Sequence, residues 1–178
     1  LEKDVRVMSN IGDIRDFRLF VQLLASQTGQ TLNMSTLAKK LGIAVSTVKR
    51  WISILEASYI IFLVPPYYRN FGKQLIKRPK LYFFDTGLVS YLTGIETAAM
   101  YEKGPMSGAI FETYVVSELY KKELHQNRKN HFYFLRTNHG QEVDLIIDRK
   151  THLEWIEIKH SATFKPKMLN AKIGRAHV

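Results

Sequence analysis

The sequence contains no cysteine, which excludes disulfide bonds and thiolate metal sites. This absence suits a reducing compartment, and we expect a cytoplasmic protein. Long hydrophobic runs are also missing, since no stretch approaches the roughly 20 apolar residues that a membrane-spanning helix needs. The N-terminus lacks the pattern of a signal peptide. No Gly-x4-Gly-Lys-Ser/Thr motif occurs, so we expect these residues neither to bind nor to hydrolyse ATP.

Acidic residues are the scarcer charged type. The 26 lysines and arginines outnumber the 16 aspartates and glutamates, which gives a formal net charge of +10 and a pI near 9.7. A basic chain of this kind typically has a polyanionic partner. Nucleic acid is the common one, with DNA expected here, and an anionic membrane surface is the alternative. With 178 residues, 46% of them hydrophobic, the chain can form one large or two small domains.

A helix–turn–helix pattern occupies the first half of the chain. Helical periodicity predicts a first helix over residues 13–28, and two further helices with Ser35 and Ser46 as N-caps and Gly42 ending the second. In DNA-binding proteins, the last helix of this motif enters the major groove. An ordinary helical hairpin is the alternative. The outward-facing polar residues of the third helix are candidates for contact with nucleic acid: Ser46, Thr47, Lys49 and Arg50.

Two strand-like segments, residues 59–64 and 80–85, follow the third helix. They are rich in apolar and aromatic residues, and no acid occurs between Glu56 and Asp85. A β-hairpin after a helix–turn–helix is a wing, so we expect a winged helix–turn–helix domain over residues 13–95. A solvated loop whose lysines serve solubility is the alternative. The basic residues of this region are candidates for phosphate contact: Arg69, Lys73, Lys77 and Arg78.

A second group of polar residues lies in a predicted hairpin formed by residues 142–148 and 153–159. The side-chain period of two places Glu157 and Lys159 on one face of the second strand. If the turn lies midway between the strands, Asp144 is across from Glu157. Two carboxylates and a lysine are the residue set of a metal-dependent phosphodiesterase, because carboxylates bind a hard divalent cation and lysine steadies a water or the scissile phosphate.

The second half predicts a helix from Gly108 to about Gln126, a strand over residues 131–137, and then this hairpin. That order, with Glu112 on the helix, resembles the restriction-endonuclease-like PD-(D/E)XK superfamily over about residues 108–165. Val143 stands where the motif has proline. We therefore expect an α+β or α/β architecture, in which the winged helix precedes a truncated PD-(D/E)XK domain over residues 108–171.

The resemblance implies roles for the charged residues. Asp144 and Glu157, with the main-chain carbonyl of Ile158, would ligate Mg²⁺. Lys159 would orient or activate the attacking water, and Glu112 would complete the acidic site. The alternative is a salt-bridged polar patch on a nuclease-like fold that does not cleave.

The chain as a whole resembles the C-terminal region of prokaryotic AAA-type ATPases, a region known only as a domain of unknown function. The resemblance implies an ATPase module in cis, with residues 1–12 as the remnant that joins it. The expected function is a DNA-binding and nuclease-like region with Mg²⁺-dependent phosphodiester cleavage, and the alternative is a non-catalytic DNA- or partner-docking module. The motifs that carry the resemblance include Asn70…Gly72-Lys73, Pro79-Lys80-Leu81-Tyr82-Phe83, Asp85-Thr86-Gly87-Leu88, Phe111-Glu112 and Glu142-Val143-Asp144.

The last seven residues, 172–178, resemble the translation of a common sequencing-library adapter. We expect this tail to be artificial and to form no part of the fold.

Overall fold

The computed structural model of the chain describes residues 14–67, 77–127, 131–136 and 142–161. The predictions for Arg69, Lys73, residues 1–12 and residues 172–178 lie outside these ranges. The described part combines six helices with two small antiparallel sheets, which confirms a mixed α and β architecture. None of its helices is long and apolar enough to cross a membrane.

Three amphipathic helices form the first part of the molecule: α1 (Ile14–Ala25), α2 (Met34–Leu41) and α3 (Val45–Ala57). Each has apolar residues at a helical period, so each buries one stripe. The aromatic centre of this core is Trp51, whose ring meets Phe17 and Phe20 with centroids 5.3 and 5.2 Å away. These stripes form one hydrophobic core, which holds the three helices together.

The helix caps differ from the predicted ones. Asn33, and not Ser35, caps α2, because its side-chain oxygen accepts a hydrogen bond from the Thr36 backbone N–H at 3.2 Å. Helix α3 begins after Ala44, which has extended backbone angles and no side chain able to cap. Ser46 therefore lies inside the helix. Gly42 ends α2 in the left-handed conformation as predicted, with φ of 68°.

A two-stranded antiparallel hairpin follows the three helices. Strand β1 (Ile61–Val64) pairs with β2 (Lys80–Phe83), and Val64 lies opposite Lys80. The backbone of β2 is also bound to the loop between α1 and α2. The Gly29 N–H donates to the Leu81 carbonyl at 2.8 Å, and the Leu81 N–H donates to the Gln30 carbonyl at 3.0 Å. These bonds fix the position at which β2 begins.

The second part contains α4 (Thr86–Thr93), α5 (Ala98–Lys103), the long helix α6 (Ser107–His125) and a three-stranded sheet. The sheet has the antiparallel order β3 (Phe132–Arg136), β4 (Glu142–Asp148), β5 (Leu153–Ile156). Strand β5 is shorter than predicted, because it ends at Ile156 rather than at residue 159.

The β1–β2 hairpin connects the two halves through its alternating faces. Side chains of Ile61, Leu81 and Phe83 pack in the helical core, while those of Phe62 and Tyr82 pack against α6 and the three-stranded sheet. The segment after β1 also pairs with β3, where the Phe134 N–H donates to the Pro65 carbonyl at 3.1 Å. The hairpin therefore carries side chains from the first half into the second.

Candidate functional site

A buried lysine lies at the centre of an acidic cluster. The Nζ atom of Lys80, the first residue of β2, is 3.0 Å from Glu112 Oε1 on α6 and 2.8 Å from Glu142 Oε1 on β4. It is 3.9 Å from Asp144 Oδ1, also on β4. Only 2% of the Lys80 side chain is exposed. One ammonium group thus faces three carboxylates contributed by two other elements.

The surroundings of Lys80 hold this arrangement in place. Tyr82 is two residues further along β2, so it shares a face with Lys80, and its hydroxyl donates to Glu112 Oε1 at 2.6 Å. The Lys80 ammonium lies 5.6 Å from the centre of the Phe134 ring on β3. Glu112 therefore accepts hydrogen bonds from two side chains of the same strand.

The outer edge of the cluster contains the remaining predicted residues. The backbone N–H of Ile158 donates to Asp144 Oδ2 at 2.8 Å. Lys159 Nζ is 3.9 Å from that same oxygen and forms a close ion pair with Glu157. The β4–β5 register ends with the pair Leu145 and Ile156, and Asp144 and Glu157 are the residues next to this pair. The structure thus brings Glu112, Asp144, Glu157 and Lys159 together. Lys80 joins Glu112 to Asp144, and Lys159 joins Asp144 to Glu157.

Burial and neighbouring charges shift the pKa values of the inner residues. Burial lowers the pKa of Lys80, but Glu112 and Glu142 outweigh it, so the net shift is upward. Burial raises the pKa of Glu112 against the opposing effect of Lys80. Burial, and then the charge of Glu112, raises the pKa of Tyr82 well above its ordinary range. The hydrogen bond with Glu157 raises the pKa of Lys159. Both lysines are therefore charged at neutral pH.

Carboxylate oxygens are ligands that Mg²⁺ prefers, so the residue types suit a metal. Their arrangement suits it less well. Lys80 lies between Glu112, Glu142 and Asp144, and both oxygens of Asp144 already face a cation or an N–H group. Within the described ranges, no group of three or more His, Asp or Glu side chains has a geometry that could hold a metal ion. With Lys80 in this position, the acids fit an ammonium group and not a divalent cation.

Exposed cations lie in the first half of the chain. At the start of α3, Ser46, Lys49 and Arg50 are exposed and Thr47 is half-buried. Lys77 and Arg78 are exposed just before β2. Lys39 and Lys40, in the last turn of α2, are further exposed cations that the pattern of α3 did not point to. Between residues 14 and 84 the only acids are Asp16 and Glu56.

Three residues of the acidic cluster were not predicted: Lys80, Tyr82 and Glu142. Glu142 had a usable signal, because it stands two residues before Asp144 and a strand places such residues on one face. Lys80 gave a weaker signal, as a lysine that opens an apolar strand. Its partners on α6 and β4 are distant in sequence, so no local pattern joins them.

Comparisons with known proteins identify the relatives of the chain. A family model described as Domain of unknown function (DUF8612) matches residues 1–99, and another, Domain of unknown function (DUF4143), matches residues 107–175. The expected likeness to domains of unknown function is thereby confirmed at this level.

The uncharacterised proteins Mb2031c of Mycobacterium bovis and Rv2008c of Mycobacterium tuberculosis are each 30% identical to the chain over 141 residues. Each alignment covers 79% of this chain and 31% of the relative, so the chain spans about a third of the length of these curated relatives. No solved structure matches the chain. The match over residues 1–99, more than half of its length, shows that the chain belongs to the family of the domain of unknown function DUF8612.

Proposed function

We propose that this chain is a docking region for nucleic acid, with DNA as the expected partner, and that it does not itself cut the nucleic acid. One observation carries the proposal: cations of the first half are exposed, while the acids of the cluster are already paired with cations of the chain. Each carboxylate of the acidic cluster faces Lys80, Lys159 or Arg136. The basic side chains of α3 and of the segment before β2 face solvent, where a phosphate backbone can reach them.

The proposed architecture is a winged helix followed by a PD-(D/E)XK-like domain. Its support is the order α2, turn, α3 and antiparallel hairpin in the first half. In the second half, α6 packs against an antiparallel sheet that carries Asp144. In this arrangement α3 is the helix that approaches the groove, and Lys77 and Arg78 belong to the wing.

Binding of a labelled DNA duplex to the whole chain, measured by fluorescence anisotropy between roughly 50 and 200 mM salt, tests this proposal. The affinity of the wild type should fall steeply with salt, because phosphate contacts release counterions. The double variant Lys49→Ala, Arg50→Ala should bind roughly tenfold more weakly or worse and should lower the log–log salt slope by about 2.

The matched control is Lys103→Ala with Lys122→Ala, which removes the same charge from exposed positions on α5 and α6. The control should retain most of the affinity. If the two double variants lose affinity equally, net charge alone explains binding and the assignment to α3 is wrong. A flat salt response of the wild type would contradict the proposal altogether.

Mg²⁺-dependent phosphodiester cleavage is the second candidate function. It is favoured by the convergence of Asp144, Glu157 and Lys159 at one edge of the cluster. This function would require a divalent cation to displace Lys80 and Lys159 from Asp144 and Glu157, and that cation would supply Lewis-acid activation. Strand scission that needs Mg²⁺ and disappears in Asp144→Asn and Lys159→Ala, with DNA binding unchanged, would establish it. Intact DNA after incubation with the wild type in millimolar Mg²⁺ would exclude it for that substrate.

We further propose an ATPase module in cis and a cytoplasmic location. The support for the first is the resemblance to AAA-type ATPases together with the greater length of the mycobacterial relatives. The support for the second is the cysteine-free sequence. In a full-length protein, DNA should stimulate ATP hydrolysis, and the Lys49→Ala, Arg50→Ala variant should reduce that stimulation. If DNA stimulates the variant as much as the wild type, ATP hydrolysis does not depend on DNA bound at α3.

A further inference from the structure

The acidic cluster contains a cation supplied by the chain itself. Lys80 Nζ lies within 3.9 Å of carboxylate oxygens from Glu112, Glu142 and Asp144. The side chain of Lys80 is almost fully buried, and that of Asp144 is 9% exposed. A buried ammonium group is unfavourable unless it is paired and hydrogen-bonded, and Lys80 meets both conditions with Glu112 and Glu142.

Every carboxylate of the cluster faces a positive charge from the chain. Glu142 Oε2 is 3.7 Å from Arg136 Nε, so Glu142 pairs with Arg136 as well as with Lys80. Asp144 faces Lys80 on one oxygen and Lys159 on the other, and Glu157 pairs with Lys159. The acids therefore have counter-ions without any metal, which differs from the Mg²⁺ site that the sequence resemblance implies.

We propose that Lys80 is the resident cation of this cluster in place of a divalent metal, and that it joins the β1–β2 hairpin to α6 and β4. Three observations support this. The Lys80 ammonium lies between the carboxylates of Glu112, Glu142 and Asp144. Tyr82, on the same strand, donates a second hydrogen bond to Glu112. Backbone hydrogen bonds to the α1–α2 loop hold the start of β2 in place. The inference does not depend on DNA binding, so either proposal can fail alone.

The first test measures thermal unfolding of the whole chain with and without Mg²⁺, at matched ionic strength, for the wild type and Lys80→Met. Methionine keeps much of the side-chain volume and removes the charge. The Tm of Lys80→Met should fall by roughly 10 °C, because buried carboxylates lose their counter-ion. The wild-type Tm should not respond to Mg²⁺ or to a chelator. That of Lys80→Met should rise with Mg²⁺, since the vacated position lies between three carboxylates.

The control is Lys121→Met, which removes a lysine paired with Glu118 at 2.7 Å on the surface of α6. Its Tm should change by only about 1 or 2 °C. If Lys80→Met does not fold, Glu142→Gln replaces it, because Glu142 is partly exposed and shares the same ammonium. The Tm of Glu142→Gln should be lower than that of the wild type, and Mg²⁺ should not change it.

Three results would overturn the proposal. The first is a wild-type Tm that rises with Mg²⁺ beyond the effect of ionic strength. The second is a Lys80→Met or Glu142→Gln protein as stable as the wild type. The third is a Lys80→Met protein that is less stable and indifferent to Mg²⁺, because the acids would then not form a cation site.

Discussion

Tyr82 is the residue at which burial and charge act most strongly together. Its side chain is fully buried, and its hydroxyl donates to the Glu112 carboxylate, itself only 17% exposed. A hydrogen bond to a charged group contributes more than one between neutral groups, roughly 1.5–3 kcal/mol. Tyr82 and Lys80 thus bind the same Glu112 oxygen, Tyr82 as a neutral donor and Lys80 as a cation.

This environment predicts the response of stability to alkaline pH. The pKa of Tyr82 in the folded chain lies well above 10.0, its ordinary value. Above that pH, the unfolded chain releases this proton while the folded chain keeps it, so stability falls as pH rises. Lys80 acts in the same direction, because its raised pKa gives stability that is complete below pH 10.5 and is lost as pH rises through the folded pKa.

Tyr82→Phe should therefore have two effects. At neutral pH it should lower the free energy of unfolding by roughly 1.5–3 kcal/mol, since Glu112 loses a donor. Between pH 8 and pH 11 its stability should decline less steeply than that of the wild type. Urea unfolding at several pH values measures both effects, with the exposed Tyr59→Phe as the control. Parallel alkaline curves for Tyr82→Phe and the wild type would show that Tyr82 ionises normally in the folded chain.

At the scale of the element, helix α3 is stabilised by packing rather than by its cap. Val48, Trp51, Ile52 and Leu55 bury one face in the helical core, while the first turn has no side-chain cap. Ala44 nevertheless has the extended backbone angles of an N-cap residue, with φ of −70° and ψ of 146°. Ala44 is thus a position at which a residue with a capping side chain could stabilise α3, the helix that carries the proposed DNA contacts.

Ala44→Ser should stabilise the protein by about 0.5–1 kcal/mol, because a serine oxygen can accept a hydrogen bond from the first turn of α3. Chemical denaturation of the whole chain measures the change. The reference variant is Asn33→Ala, which removes an existing cap bond of 3.2 Å from α2 and should cost about 1 kcal/mol. If Asn33→Ala destabilises and Ala44→Ser has no effect, the start of α3 is not limited by its cap.

The elements also show how far the sequence could predict the structure. Apolar periodicity predicted α1, α2, α3, α6 and the strands but not α5, and the expected turn position placed Asp144 across from Glu157. The end of β5 could not be predicted in this way. The Ile158 N–H donates to the Asp144 side chain and not to a strand partner, and the regular strand stops two residues earlier. The predicted residues thus lie together, while the strand that leads to Glu157 and Lys159 ends earlier than predicted.

At the scale of the whole molecule, the position of Lys80 depends on the packing of distant segments. Lys80 and Glu112 are 32 residues apart in sequence, and they meet because the β1–β2 hairpin is enclosed between the helical core and α6. A pattern read along the chain cannot show such a contact. The wing prediction named the exposed basic residues before β2. Lys80, the first residue of that strand, is instead buried.

The same packing separates the charges of the molecule. The cations of α3 and of the segment before β2 are exposed to solvent. Lys80, two residues after Arg78, is buried and pairs with the acidic cluster. A basic exterior attracts a polyanion, while acids that are paired with cations of the chain repel it less strongly than free acids would. Lys80 is thus the cation that keeps these buried carboxylates paired, whether or not the chain binds nucleic acid.

The measurement that tests this claim most directly is a double-mutant cycle between Lys80 and Glu112. Unfolding free energies are needed for the wild type, Lys80→Met, Glu112→Gln and the double variant. Buried, hydrogen-bonded partners should give a coupling free energy of roughly 1–3 kcal/mol, with the double variant less damaged than the sum of the single ones. Effects that add to within about 0.5 kcal/mol would contradict the account, because Lys80 would then not be a cation that stabilises the buried carboxylate of Glu112.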